Sequence, residues 1–473
     1  MRGGTCFDDL QRCNLLKISK NTYKDNEKLM VRWVVLKEGQ DGKCWTNCDL
    51  FEAYRKFYEN YLAKDAVFDL CYISGAEAPI QKVHPKGVVR KIPGTNGAKL
   101  ISANDSTGYT YRGRFAEPSE ALSISMETSQ KAHNALRWLV ELQGKSYYSS
   151  RTFVMWNSEG KRVPDIDSDS LFSDNGDVEL IPQTDYVKYR EYISNVLKGY
   201  RIEYENGKDR GVQVIALQAA TTGRLSITYY TELDGSEYID KIEKWYANMV
   251  WWYFGKLQTP SPMKIIKYAY GVQKGNYVEI DEKLRGDQMQ NIMKIILENG
   301  KVPFALKNAL VQKCSFRQAY DVNQYENLLS VTCAVIKKYE SDSNKEVNME
   351  LEKDNRDRSY LFGRLLALAE YIEKSASNDK DRETNAVRLQ ASFAQRPMYT
   401  WKNIESALQP YYVRLNPGAR NYLKNMTGEI ISLIQEGDVA QLNRPLSEFY
   451  LIGYYLQRRD FYTKKENKNS EEE

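Results

Sequence analysis

Between Asp69 and Phe115 the chain reads DLCYISGAEAPIQKVHPKGVVRKIPGTNGAKLISANDSTGYTYRGRF. Pro79, Pro85, Gly87, Pro93, Gly94, Gly97, Gly108 and Gly113 punctuate it, so it reads as loop with short strands, predicted at AKLIS and YTYRGRF. It carries Lys82, Lys86, Arg90, Lys91, Lys99, Arg112 and Arg114, with His84 among them, and beyond Glu77 its only acid is Asp105. Tyr109 and Tyr111 stand beside the last arginines. Cations, turn residues, small hydroxyls and aromatics together suit a surface that grips a nucleic-acid backbone. A basic surface loop without a partner accounts for the same residues. The glycines do not make a phosphate loop: GTNGAK has the wrong spacing, and GYTYRGRF lacks the Gly-Lys-Ser/Thr ending.

The rest of the 473 residues is room for two or three domains. In chain order, MVRWVVL (30–36) alternates as a strand does. DLFEAYRKFYENYL (49–62) reads as a helix with Leu50, Tyr54, Phe57, Tyr58 and Tyr61 on one face and Asp49 as its cap. A long helix is predicted from about Ser119, its cap, to Gln143, with Gly144 after its end. Ala132, Ala135, Leu136, Leu139 and Val140 make its buried face. His133 lies beside that face and reads as packed or exposed rather than catalytic. TFVMWN (152–157) reads as a strand, and YVKYREYISNVLKG as a helix closed by Gly199. VQVIAL (212–217) and LSITYY (225–230) read as adjacent strands linked by QAATTGR. Tyr238 to Phe254 reads as an amphipathic helix whose Trp245, Trp251 and Trp252 enter a core. From Pro262 to Tyr339 the pattern is helical, with breaks at Gly271, Gly300 and Pro303. Residues 340–356 read as a charged hinge, and the remainder of the chain as mainly helical, up to a polar tail.

The fold class predicted is α+β: a mixed α/β N-terminal and central region over 1–339, then an all-α bundle over 357–463 and a tail over 464–473. Within the bundle Arg388, Arg396, Lys402, Arg414, Arg420 and Lys424 face a single Glu405 between 386 and 424. They are candidates for lying along a nucleic-acid strand, an ordinary solvated face being the plainer reading.

Enzyme chemistry finds little purchase. Two histidines exclude HExxH and paired-His metal sites, and there is no G-x-S-x-G elbow. Asp165, Asp167 and Asp169 resemble the start of a calcium loop, but Ser170 and Gly176 stand where its glycine and bidentate glutamate belong, so a solvated acidic loop is the reading. Those three aspartates are also the best candidates for a metal-dependent nuclease. Cys6, Cys13, Cys44 and Cys48 invite zinc. The C-x3-C spacing of KCWTNC fits, and the first pair, with six residues between, does not. Seven cysteines in irregular spacing argue against a disulfide framework and fit a reducing cytoplasm. No apolar window approaches a membrane span, and the N-terminus has no signal-peptide core. Net charge is only +4, so a nucleic-acid contact must come from local patches. Taken together, the residues describe a binding or scaffold protein that calls for no cofactor.

Several blocks resemble one family. DLCYISGAEAPIQKVHPKG, GAKLISANDSTGYTYRG, ALQAATTGRLSITYYTELDGSEYIDKIEKW, DRSYLFGRLLALAEYIEK and FYLIGYYLQRRDFY are similar, in this order, to the large subunit of the type I-C CRISPR Cascade complex, the Dvulg subtype. Ser74 and Gly75 occupy the family's Thr-Gly slot, and Leu456 stands where its "LGYYhQR" ending often has His. Family members usually carry a further small-domain-sized segment before the part corresponding to Met30, so the resemblance predicts a chain that starts late. It implies a non-catalytic subunit near the 5′ handle of the crRNA, working with the Cascade backbone subunits. Such a subunit inspects target double-stranded DNA for a protospacer-adjacent motif, helps open it beside the displaced strand, and supports recruitment of a helicase-nuclease. In the family the C-terminal helices can also be made as a separate small subunit from an internal start, for which Met349 is well placed. Within this reading Lys82, His84, Lys86, Arg90, Lys91, Lys99, Ser102, Asn104, Ser106, Arg112 and Arg114 are the candidates for duplex and motif contact. Asn104 is the base reader among them, since an amide pairs bidentately with adenine. A protein-only scaffold is the remaining alternative.

Overall fold

Asn47 opens the first helix, α1 (Cys48–Ala63): its side chain accepts from the Leu50 amide at 2.9 Å, taking the capping role expected of Asp49. The computed structural model describes residues 32–35, 42–89, 97–102, 115, 118–147, 151–167, 184–205, 211–221, 223–377, 382–434 and 439–469. Leu50, Tyr54, Phe57, Tyr58 and Tyr61 of α1 share a face as predicted, and all five are exposed. The strand predicted at 30–36 is described only over 32–35. There it makes an isolated bridge, Val34 to Lys43, rather than a strand.

Strands β1 (Phe68–Leu70) and β2 (Glu77–Pro79) form an antiparallel hairpin with Phe68 opposite Pro79. The helix predicted from Ser119 is two helices, α2 (Pro118–Ala121) and α3 (Met126–Gln143). Pairing with the hairpin takes the intervening backbone out of the helix. Tyr72 donates to the Ser123 carbonyl at 2.8 Å, Gln81 to that of Ile124 at 2.9 Å, and Ile80 bridges Ser125. Ser125, not Ser119, caps the long helix by accepting from the Thr128 amide at 3.2 Å. Residues 1–83 with 103–129 form one compact unit, and residues 84–102 with 130–473 form a second.

The second unit begins with a four-stranded antiparallel sheet, in the order β3 (Lys145–Tyr147), β4 (Arg151–Trp156), β5 (Gly211–Thr221) and β6 (Arg224–Asp234). The last two strands are longer than predicted and absorb most of QAATTGR. Side chains alternate across the sheet. Phe153, Met155, Val212, Val214 and Ala216 enter the large core of the unit. Val154, Ile215, Leu217 and Leu225 build a smaller core on the other face with Val88, Val89, Ala98 and Val140. Burial of both faces is why VQVIAL is so largely apolar. Helix α4 (Tyr186–Glu205) runs through Gly199 instead of ending there, because Leu197 before it and Tyr204 after it are both buried in the large core. That burial outweighs the roughly 1 kcal/mol cost of a mid-helix glycine.

Helix α5 (Gly235–Asn248) stops short of the predicted Phe254, because Trp251–Tyr253 (β7) pairs with Lys256–Gln258 (β8) as a hairpin. Trp245, Trp251 and Trp252 are buried, as predicted. Then come α6 (Pro262–Tyr270), the hairpin of β9 (Val272–Lys274) and β10 (Tyr277–Glu279), α7 (Glu282–Leu297), α8 (Phe304–Ser315) and α9 (Val322–Ser341). Gly271, Gly300 and Pro303 fall in the breaks between them, as predicted. Over 340–356, Val347 and Met349 join the large core, and Trp252 Nε1 donates to the Met349 carbonyl at 2.8 Å. The chain ends in helices α10 (Arg358–Ala376), α11 (Asn385–Arg388), α12 (Gln390–Gln395), α13 (Pro397–Arg414), α14 (Pro417–Leu433), α15 (Val439–Leu442) and α16 (Phe449–Asn469). The fold is α+β, with short sheets in the N-terminal part and helices after it. None of the described helices is long and apolar enough to cross a membrane.

Candidate nucleic-acid interface

Arg90, Lys91, Asn104, Ser106, Arg112 and Arg114 lie outside the described residues, as do Tyr109, Tyr111 and all of YTYRGRF but Phe115. In the first unit Lys82 is exposed just beyond β2, where the Gln81 side-chain amide donates to the Val83 carbonyl at 2.6 Å.

The remaining residues of the stretch belong to the second unit. Val88, Val89 and Ala98 anchor them on the smaller core, with Val140 of α3. Backbone pairing then sets the charges. Lys86 bridges Lys99 in antiparallel fashion, and Lys99 bridges Arg224 at the start of β6 in parallel fashion. The Lys99 amide donates to the Gly223 carbonyl at 3.1 Å, and the Leu225 amide to the Lys99 carbonyl at 3.0 Å. Paired residues project to the same side of a sheet. Lys86, Lys99 and Arg224 therefore form a row, exposed at both ends and half-buried at Lys99. None of the three has an ion-pair partner among the described residues, where like charges directly opposite one another are unfavourable without an anion. Ser102 is exposed nearby in sequence. Arg137 on α3 holds the row in position: its Nη2 donates to the Lys86 carbonyl at 3.1 Å and its Nε to that of Gly87 at 3.3 Å.

His84 is not on this surface. It is 6 % exposed, its ring stacked on His133 of α3 with centroids 6.1 Å apart. Burial, then His133 and Lys99, push its pKa down from 6.5 to about 4, so the imidazole is neutral at physiological pH. Its ring packs on α3 and is turned away from solvent.

The C-terminal cations are distributed over α11, α13 and α14. Lys402 and Arg414 are both exposed on α13, but twelve residues apart they project about 120° from each other around the axis. Arg388 is exposed and donates to the Asn385 side chain at 2.6 Å. Arg396 is exposed where α13 begins, and Lys424 of α14 lies over the Tyr412 ring at 5.3 Å. Arg420 is committed within the fold: its guanidinium donates to the carbonyls of Tyr412, Val413 and Leu415 at 2.8, 3.0 and 3.1 Å, closing the C-terminal end of α13. Tyr399, one turn from Lys402, is 64 % exposed and adds an aromatic face to that position.

The acidic run serves the fold where it is described. Asp167 Oδ1 accepts from the Met263 amide at 2.8 Å at the start of α6, and Asp165 Oδ1 accepts from the Asp167 amide at 3.0 Å. Asp169 lies outside the described residues, as do Cys6 and Cys13. Cys44 and Cys48 are free thiols, and no group of three or more His, Cys, Asp or Glu among the described residues is arranged to hold a metal.

Sequence reasoning missed Arg224 and Arg137. Arg224 sits at the end of QAATTGR, inside a block that carries the family likeness, but its approach to Lys99 spans more than a hundred residues and has no local signal.

No curated protein matches the chain. The model of the family described as CRISPR-associated protein (Cas_Csd1) matches residues 8–462, nearly the whole length. That span covers every block that carries the resemblance, from the basic stretch through the hairpin of β5 and β6 to α16. The chain therefore belongs to the CRISPR-associated Cas_Csd1 family, the large subunits of the type I-C Cascade complex.

Proposed function

We propose that the chain is a non-catalytic subunit of a crRNA-guided surveillance complex that binds target double-stranded DNA, recognises its flanking motif, stabilises the R-loop and supports recruitment of the helicase-nuclease. Family membership supports the setting. The row of Lys86, Lys99 and Arg224 is the observation that carries the DNA reading. Three cations paired side by side, with no carboxylate to neutralise them among the described residues, suit successive phosphates of one strand. Asn104 remains the candidate base reader, and Arg388, Arg396, Lys402, Arg414 and Lys424 the candidates for the opened strands.

The test is duplex binding by the complex reconstituted with crRNA and its backbone subunits, across salt, for the parent, Asn104→Ala and the triple variant Lys86→Gln/Lys99→Gln/Arg224→Gln. Loss of motif discrimination in Asn104→Ala with the salt slope kept assigns base reading to that residue. A uniform loss in the triple variant, with a shallower slope, makes the row a phosphate clamp. An unchanged slope removes the row from the interface. The separate small subunit is tested by native mass spectrometry of the complex, where no fragment beginning near Met349 would sink it.

A further inference from the structure

The hairpin of β7 and β8 turns on Phe254 and Gly255, the two residues between Tyr253 and its partner Lys256. Both have positive φ, +46° and +75°. This is the pattern of a type I′ turn, whose first central position favours Asn, Asp or Gly. A bulky side chain there crowds its own backbone. Burial does not offset the strain, because Phe254 is 56 % exposed, meeting Tyr253 edge-on at 4.7 Å. A strained and exposed aromatic points to a role outside the fold.

The Phe254 ring lines a cavity of about 380 Å³, within the range that holds a small ligand. Tyr462 of α16, 47 % exposed, lines it too, as does Lys374 of α10, whose Nζ commits one of its donors to Glu370 at 2.6 Å. Arg458 forms the buried wall, held by Glu326 at 2.5 Å. Arg459 is held flat, 3.5 Å over the Trp252 ring and paired with Glu350 at 2.7 Å. The lining thus holds three cations, each paired with a carboxylate, together with the two open rings of Phe254 and Tyr462. Aromatic platforms set among cations are the arrangement on which single-stranded bases stack.

We propose that this cavity takes one unstacked base of a single-stranded nucleic acid, with Phe254 and Tyr462 as the stacking faces and Lys374 at the adjoining phosphate. This rests on the nucleic-acid reading of the chain and adds to it a site that none of the motif residues marks.

The probe is an oligothymidylate carrying 5-iodouracil, photo-crosslinked to the full chain in its reconstituted complex and mapped by peptide mass spectrometry. Phe254→Asn and Phe254→Trp are compared with the parent. Asparagine completes an Asn-Gly turn, so the variant is expected to melt no lower than the parent while losing the crosslink in the 251–258 peptide. Its affinity for the oligonucleotide should fall about tenfold. Phe254→Trp should keep both. An unchanged crosslink and affinity in Phe254→Asn would overturn the proposal. Crosslinks confined to other peptides, with duplex binding intact, would also overturn the cavity while leaving the DNA reading in place. If no nucleic acid binds and Phe254→Asn instead weakens retention of a protein subunit, the cavity is a protein anchor and both readings fall.

Discussion

Gly363 on α10 lies directly against the carbonyl of Tyr450 on α16: a Cβ at Gly363 would stand 2.0 Å from that oxygen. Gly453 makes the reciprocal approach to the Tyr360 carbonyl, at 2.2 Å. The two helices thus meet at backbone distance, and both glycines sit in blocks that carry the family likeness. Gly363→Ala is expected to force the helices apart and cost about 1–3 kcal/mol or more. Gly453→Ala should cost a similar amount, and the double variant less than the sum, since both act on one interface. Urea unfolding followed by circular dichroism reads this out. Parent-like midpoints for both single variants would show that the approach is not required.

A charge cluster joins the same two helices to Arg317 and to Glu326 of α9. Glu370 receives Lys374 at 2.6 Å, Arg458 at 3.5 Å and Arg317 at 3.8 Å, and the Tyr454 hydroxyl donates to it. Burial works to raise the Glu370 carboxyl, but Arg458, Arg317 and Lys374 outweigh it and hold it below the usual carboxylate range. Glu370→Gln would leave Arg317 and Arg458 with Glu326 alone, and is expected to destabilise by about 3–5 kcal/mol. Thermal melting of the full chain checks this. A loss too small to measure would mean that water reaches the two guanidinium groups.

The buried His84 makes stability depend on pH. Its pKa in the fold is about 4, against 6.5 for an ordinary histidine, so between those values the unfolded chain binds the extra proton and the native one does not. The stability contributed is fully present above pH 6.5 and is lost as pH falls through the window toward 4. Melting curves from pH 4 to 7 should show a flatter acid limb for His84→Gln than for the parent, His133 being left in place. Identical limbs would mean that His84 titrates normally in the fold.

Arg420 and Lys402 should separate in their effects. Arg420→Ala removes three hydrogen bonds to the end of α13 and is expected to cost stability, roughly 1–3 kcal/mol, without changing the salt slope of DNA binding. Lys402→Ala should leave melting unchanged and lower that slope by about 1 where the residue meets a phosphate. Paired melting and salt-titration measurements decide, and the reverse pattern would exchange the two roles.

Local periodicity determined much of this protein. The helix over 49–62, the paired runs VQVIAL and LSITYY, the breaks at Gly271, Gly300 and Pro303, and the α+β division were all legible, because helix and strand repeats are written in neighbouring residues. Contacts between distant residues decided the rest. Hairpin pairing pulled Ser123 and Ser125 out of a helix that Ser119 was suited to cap, and β8 recruited Trp251–Tyr253 from the end of another. His84, set between Lys82 and Lys86, went inward because the ring of His133, far away in sequence, received it. Arg420 and Lys402 look alike as letters, yet one is committed to carbonyls and the other faces solvent. The sequence marked Lys86 and Lys99 but not Arg224. Only tertiary structure set Lys86, Lys99 and Arg224 side by side, because a charge becomes part of a site through neighbours that the chain brings from far away.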